Sequence, residues 1–176
     1  MRKFGMVRAL ALLVSFGCVV AVAVATTAVA GPDGSDNGVR CIFNTQLSPE
    51  NEVRPPDTTD PVTSTAQGHA QVKIRNDGTI EFNVFILNKA GELFRVGHIH
   101  RGSVTVAGPV VVHFLGGPAG GTESTDEQIR VTGVGVEQQP AAGLDVASEI
   151  CTNPTNFYVN FHTLDDPQGA VRGQLG

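Results

Sequence analysis

The strongest constraint on the fold lies in residues 66–87, AQGHAQVKIRNDGTIEFNVFIL. Ala70, Val72 and Ile74 alternate with His69, Gln71, Lys73 and Arg75. Ile80, Phe82, Val84 and Ile86 alternate with Thr79, Glu81 and Asn83. A strict period of two puts one face of each segment against a core and leaves the other wet, so both segments are strands. Asn76-Asp77-Gly78-Thr79 joins them. Asp77-Gly78 suits the positive φ angles of a type I′ turn, so the pair is expected to form a tight hairpin.

The remaining chain repeats this texture. Cys41–Leu47 alternates as a first strand. The four prolines of Ser48–Pro61 make that stretch a surface loop. Further strands are expected at 93–100, 110–115, 158–164 and 170–175, with a bulged strand in Ser124–Glu137 around Gly133 and Gly135. Only Ala141–Ile150 has helical spacing, through Leu144, Ala147 and Ile150. Asp166-Pro167-Gln168-Gly169 reads as a turn with proline at its second position. About eight short antiparallel strands with almost no helix predict an all-β fold, a Greek-key β-sandwich or barrel. With no tryptophan in the chain, its core rests on Val, Ile, Leu and Phe.

The ends and the cysteines speak to compartment. Met1–Arg8 is basic, Ala9–Ala25 is apolar, and Ala28-Val29-Ala30 precedes a switch to GPDGSDNG. This is the pattern of a secretory signal peptide over residues 1–30, and cleavage after Ala30 is favoured over a retained membrane anchor. Residues 31–38 are expected to be a flexible segment and 39–176 a single domain. Loss of Arg2, Lys3 and Arg8 takes the formal charge from −5 to −8. Such an acidic chain is a poor fit to nucleic acid, and stable membrane insertion is not expected after cleavage. Cys41 and Cys151 then form an even pair, read as one disulfide of a secreted, periplasmic or extracellular protein.

Two blocks hold the residues with chemical potential: GHIHRG at 97–102 and FYVNFHTLDDPQGAVRGQL at 157–175. His98 and His100 are two apart on a strand and share a face. His162 shares a face with Asn160 on another. If those strands are neighbours, three imidazoles converge, and neutral imidazole suits copper or zinc. The competing reading, that these histidines simply hydrogen-bond backbone groups, is the stronger one on spacing alone. His69 and His113 read as ordinary strand residues; Arg172 reads as a surface arginine in preference to one that ion-pairs or lines a site. Asp165 and Asp166 read as turn residues. The sequence has no G-x-S-x-G elbow and no phosphate loop.

Taken in order, QLSPENEVRPP, NDGTIEFNVFI, GHIHRG, GPVVVHF and the C-terminal block resemble the CHRD domain family, from about Cys41 to Leu175. The resemblance implies an immunoglobulin-like β-fold with distant similarity to Cu/Zn superoxide dismutase. It implies no settled biochemical activity for the secreted microbial members. In the dismutase, an H-x-H strand and a V-x-H strand supply copper ligands, and GHIH and VNFH are similar to them. The bridging histidine and the zinc loop have no counterpart here, which argues against dismutation at a two-metal site. The first expectation is therefore a non-catalytic extracellular binding or structural module, with an unidentified protein or cell-surface partner. The alternative is a single copper or zinc site on His98, His100 and His162, with weak redox activity.

Overall fold

The computed structural model describes residues 38–138 and 145–176, all within the unit Ser35–Gly176. The expected signal peptide, its cleavage site, residues 31–37 of the N-terminal segment and residues 141–144 of the helical segment lie outside the described residues.

The alternating segments form the strands that their pattern predicts. β1 is Val39–Leu47, β2 Gln67–Arg75 and β3 Ile80–Leu87. β4 is Phe94–Arg101 and β5 Val110–Leu115. β6 is Gln128–Val134, β7 Val136–Glu137, β8 Phe157–Thr163 and β9 Val171–Gln174. The helix α1 is Val146–Thr152, later than its spacing suggests, because Asp145 caps it by accepting from the Ser148 amide at 2.8 Å. One sheet runs β1-β2-β3-β6 and the other β7-β5-β4-β8-β9, all pairings antiparallel. The fold is thus a β-sandwich of four and five strands, and it does not close into a barrel.

The core lies between the sheets. Ala70, Val72, Ile74, Ile80, Phe82, Val84 and Ile86 of the first sheet are buried. They join a cluster with Ile99, Val112, Phe114, Val159, Phe161 and Val171 of the second. Each of these side chains larger than alanine contributes roughly 1.5–3 kcal/mol by leaving water. The turn between β2 and β3 differs from the expectation. Only Gly78 has a positive φ, at 87°, and no residue other than glycine does among the described residues. Asp77 instead accepts the Thr79 amide on its side chain at 2.9 Å, which holds it at negative φ. The Gly78 amide closes onto the Arg75 carbonyl at 3.0 Å.

The segment expected to be a bulged strand does something more useful: it changes sheets. β6 pairs with β3 at the edge of the first sheet, and β7 pairs with β5 at the edge of the second. Gly135 is the hinge, where a Cβ would come 2.5 Å from Val112. At the other side of the sandwich, Ser48 and Arg172 exchange backbone hydrogen bonds at 3.1 Å. Cys41 of β1 is bonded to Cys151 of α1, with their Cα atoms 5.9 Å apart. That bridge spans a sequence separation of 110, for which the chain-entropy relation gives roughly 4–5 kcal/mol.

β8 decides where the site lies. All seven of its residues are buried. Phe157, Val159 and Phe161 enter the core, while Tyr158, Asn160 and His162 face the other way under a roof of loops. Arg172 holds one part of the roof by donating to the Ser103 carbonyl at 2.7 Å and the Val106 carbonyl at 3.1 Å. Asp166, 1% exposed, holds another part. It pairs with Arg54 at 2.6 Å and accepts the Ser64 amide at 2.8 Å. The turn reading of Asp166 therefore understates it, and the 48–61 loop is pinned inward as well as exposed.

Candidate metal centre

β4 and β8 are direct neighbours, so the two histidine blocks meet. The register pairs His98 with Asn160, His100 with Tyr158 and Val96 with His162. Gly97 makes this close fit possible, because a Cβ there would stand 2.3 Å from the Phe161 ring. The β4–β5 pairing shifts register around His98 and His100, a kind of bulge that re-aims side chains at functional sites.

One nitrogen from each of His98, His100 and His162 lies within 4.8 Å of the others. His98 Nδ1 is 3.3 Å from His162 Nε2. His100 Nδ1–H donates to the Gly108 carbonyl at 2.8 Å, and His162 Nδ1–H donates to the Pro167 carbonyl at 3.0 Å. A carbonyl can only accept, so both rings carry their free lone pair on Nε2. His100 Nε2 is buried with no hydrogen-bond partner. His100 and His162 are each 8% exposed, and His98 is partly buried.

Electrostatics keep these rings neutral. Burial, then the neighbouring His162, His100 and His113, push His98 down to about 3. Burial and His100 push His162 down to about 4, against the opposing Pro167 hydrogen bond. Burial lowers His100 as well, followed by Arg172 and His113, with the Gly108 bond acting the other way. Metal ligation requires the neutral imidazole, which is therefore the resting form at neutral pH. Metal–nitrogen bonds of about 2.0–2.1 Å need nitrogens roughly 3–4 Å apart. One pair is already there, and modest ring rotation would bring in the widest.

Several neighbours were not legible as site residues. His113 lies opposite His98, with ring centroids 5.0 Å apart in an edge arrangement. It is no plain strand residue: its Nε2 meets the Gln138 side chain and its Nδ1 is buried without a partner. It is not in the convergent set. His69 remains apart, exposed on β2 against Phe85. Arg172 is not a surface residue. It is 1% exposed, its guanidinium lying 3.5 Å from the Tyr158 ring centroid, and that ring stacks on His100 at 4.9 Å. Desolvation of the cation is offset by that ring and by carbonyl acceptors. Glu52 also reaches this face and accepts from Asn160 Nδ2 at 3.1 Å. A cleft of about 450 Å³, lined by His162, Thr163, Pro167, Val96, Arg95 and Glu123 among others, opens beside the histidines.

No curated protein and no solved structure matches the chain. The family match is with the CHRD domain, an extracellular type of module, over residues 43–175. That span runs from β1 through the end of β9, so it takes in both sheets, both histidine blocks and the loops that roof them. The chain belongs to the CHRD domain family.

Proposed function

We propose that this chain is an exported CHRD module that holds a single copper or zinc ion on His98, His100 and His162. The observation that carries this reading is the convergence of three neutral ring nitrogens within 4.8 Å. Two of the rings are fixed in tautomer and orientation by backbone carbonyls. Carbonyl-tethered imidazoles of this kind are the usual outer support of a metal ligand. In the metal-free site, His98 Nδ1–H can donate to His162 Nε2. Ligation through that nitrogen would then move the His98 proton to Nε2. With three protein ligands, a fourth position is left for water or a small ligand.

The decisive experiment is titration of chelator-treated protein with Cu²⁺. Saturable one-to-one binding is expected, and His100→Ala should abolish it while leaving the far-ultraviolet spectrum unchanged. Wild-type protein that binds no copper or zinc above background would return the domain to a purely structural or partner-binding role. Val104 and Val106, 64% and 45% exposed on the loop that Arg172 holds, are what favour that second reading. Export is tested separately: the mature protein should begin at Gly31 by mass spectrometry, and an intact Met1 in a membrane fraction would refute it.

A further inference from the structure

Glu52 is a half-buried glutamate with its Oε1 out of water, and the three-histidine set does not use it. It follows the short 3₁₀ turn Pro49–Asn51, which is tied to β9 through Ser48 and through Asn51 Nδ2 donating to the Arg172 carbonyl at 3.2 Å. The turn delivers Glu52 over the middle of β8. Its Oε2 accepts from Asn160 Nδ2 at 3.1 Å, and its Oε1 is buried without a partner. Space for the pair depends on Gly169 (φ 132°), where a Cβ would lie 2.5 Å from Glu52 Oε2 and 2.7 Å from Asn160 Nδ2. Asn160 is 3% exposed, stands opposite His98 on one side and Arg172 on the other, and shares its face with His162.

We propose that Glu52 is the proton-exchanging residue of the histidine site, acting through Asn160: a dication arriving at His98, His100 and His162 drives the proton off the Glu52 carboxyl, and the carboxylate left behind offsets the added charge. This rests on the metal reading above. The balance is simple: one dication enters, one O–H bond breaks, and one proton passes to solvent.

The groups facing Glu52 set its resting state. Arg54 comes from its own loop, Tyr158 and Asn160 from β8, Arg172 from β9 and Asp166 from the β8–β9 turn. Arg54 gives its short ion pair to Asp166, and Arg172 gives its hydrogen bonds to Ser103, Val106 and Gln174. Burial therefore dominates and pushes Glu52 up to about 8, so it is protonated at neutral pH. The histidines are already neutral there and have no proton to give up. For a separation of about 10 Å and an effective dielectric of about 20, a dication would shift a carboxyl's proton equilibrium on the order of 100-fold. That is enough to deprotonate Glu52 at pH 7.

Zinc is the probe, since it is redox-silent. Calorimetric titration of the full chain at pH 7.0, in two buffers of different ionisation enthalpy, counts the protons released. Wild type should release close to one proton per zinc, Glu52→Gln close to none, and wild type again close to none at pH 9.0. Zinc affinity of the wild type should rise about tenfold per pH unit between pH 6.5 and 8 and stay flat in the variant. Release that persists in Glu52→Gln, or that persists in wild type at pH 9.0 as a zinc-bound water would give, overturns the proposal. So does zinc binding with no release at pH 7.0. If zinc does not bind at all, the metal reading falls first and takes this one with it.

Discussion

Replacing Glu52 by Gln should reverse part of the domain's pH dependence even without metal. Burial holds the folded-state value near 8, against 4.5 for an ordinary glutamate. Between those values the folded chain keeps a proton that the unfolded chain has released. Stability is therefore full below about pH 4.5 and falls as pH rises to 8, by about 1.4 kcal/mol per unit. The histidines act oppositely, because their folded values are depressed: His98 and His162 together regain about 0.8 kcal/mol between pH 6.5 and 8.0. From pH 6.5 to 8.0 Glu52 alone should cost the wild type about 1.6 kcal/mol, which the histidines offset in part. Glu52→Gln keeps the acceptor for Asn160 but cannot ionise, so its stability should rise slightly over that interval and its margin over the wild type should widen by about 1.6 kcal/mol. Urea denaturation at pH 6.5, 7.25 and 8.0, with chelator present, reads both slopes. Parallel slopes for the two proteins would show that Glu52 is already ionised and the burial argument wrong.

The remaining expectations are more direct. With Glu52→Gln removing the opposing slope, the depressed His98 and His162 should make stability fall by about 3 kcal/mol from pH 6.5 to 5.0; no fall would mean these rings charge freely in the folded state. Reducing the Cys41–Cys151 bond should cost up to about 4–5 kcal/mol, read as a lower denaturation midpoint, and an unchanged midpoint would refute the loop-closure estimate. Gly97→Ala drives a methyl into the Phe161 ring, so about 1–3 kcal/mol of destabilisation and weaker copper binding are expected together; a neutral effect would mean β4 and β8 can separate freely.

Much of this architecture was legible because its signals are local. The period-two segments 70–74 and 80–86 name their own inward faces, and the Cys pair needed only counting. The turn at Asp77-Gly78 was misjudged because a side-chain hydrogen bond outweighs the dipeptide's preference for paired positive φ. The three histidines could be assigned a shared face from spacing, but their meeting depends on β8 lying beside β4, a pairing between residues about 60 positions apart. Glu52 was hidden, and Arg172 was ranked as a surface residue, for a stronger reason. Charged side chains are expected outside, and only the roof of loops, set by Asp166, Ser48 and the 102–109 segment, takes them out of water.

The placement of β8 has a consequence for the order of assembly. His98 and His100 are two apart on one strand, and that strand can pair with β5 across a short loop. His162 comes 64 residues after His98 and arrives only when β8 inserts between β4 and β9. Contacts of such separation carry a large loop-closure cost and belong to the slow part of folding in β-rich domains. The same docking event fills the core with Phe157, Val159 and Phe161 and brings the third imidazole to the other two. A chain not yet folded offers only the two-histidine fragment on β4, a weak and unselective chelate. The complete three-nitrogen set exists only after the sandwich has closed, so occupancy of the site would report that folding is finished.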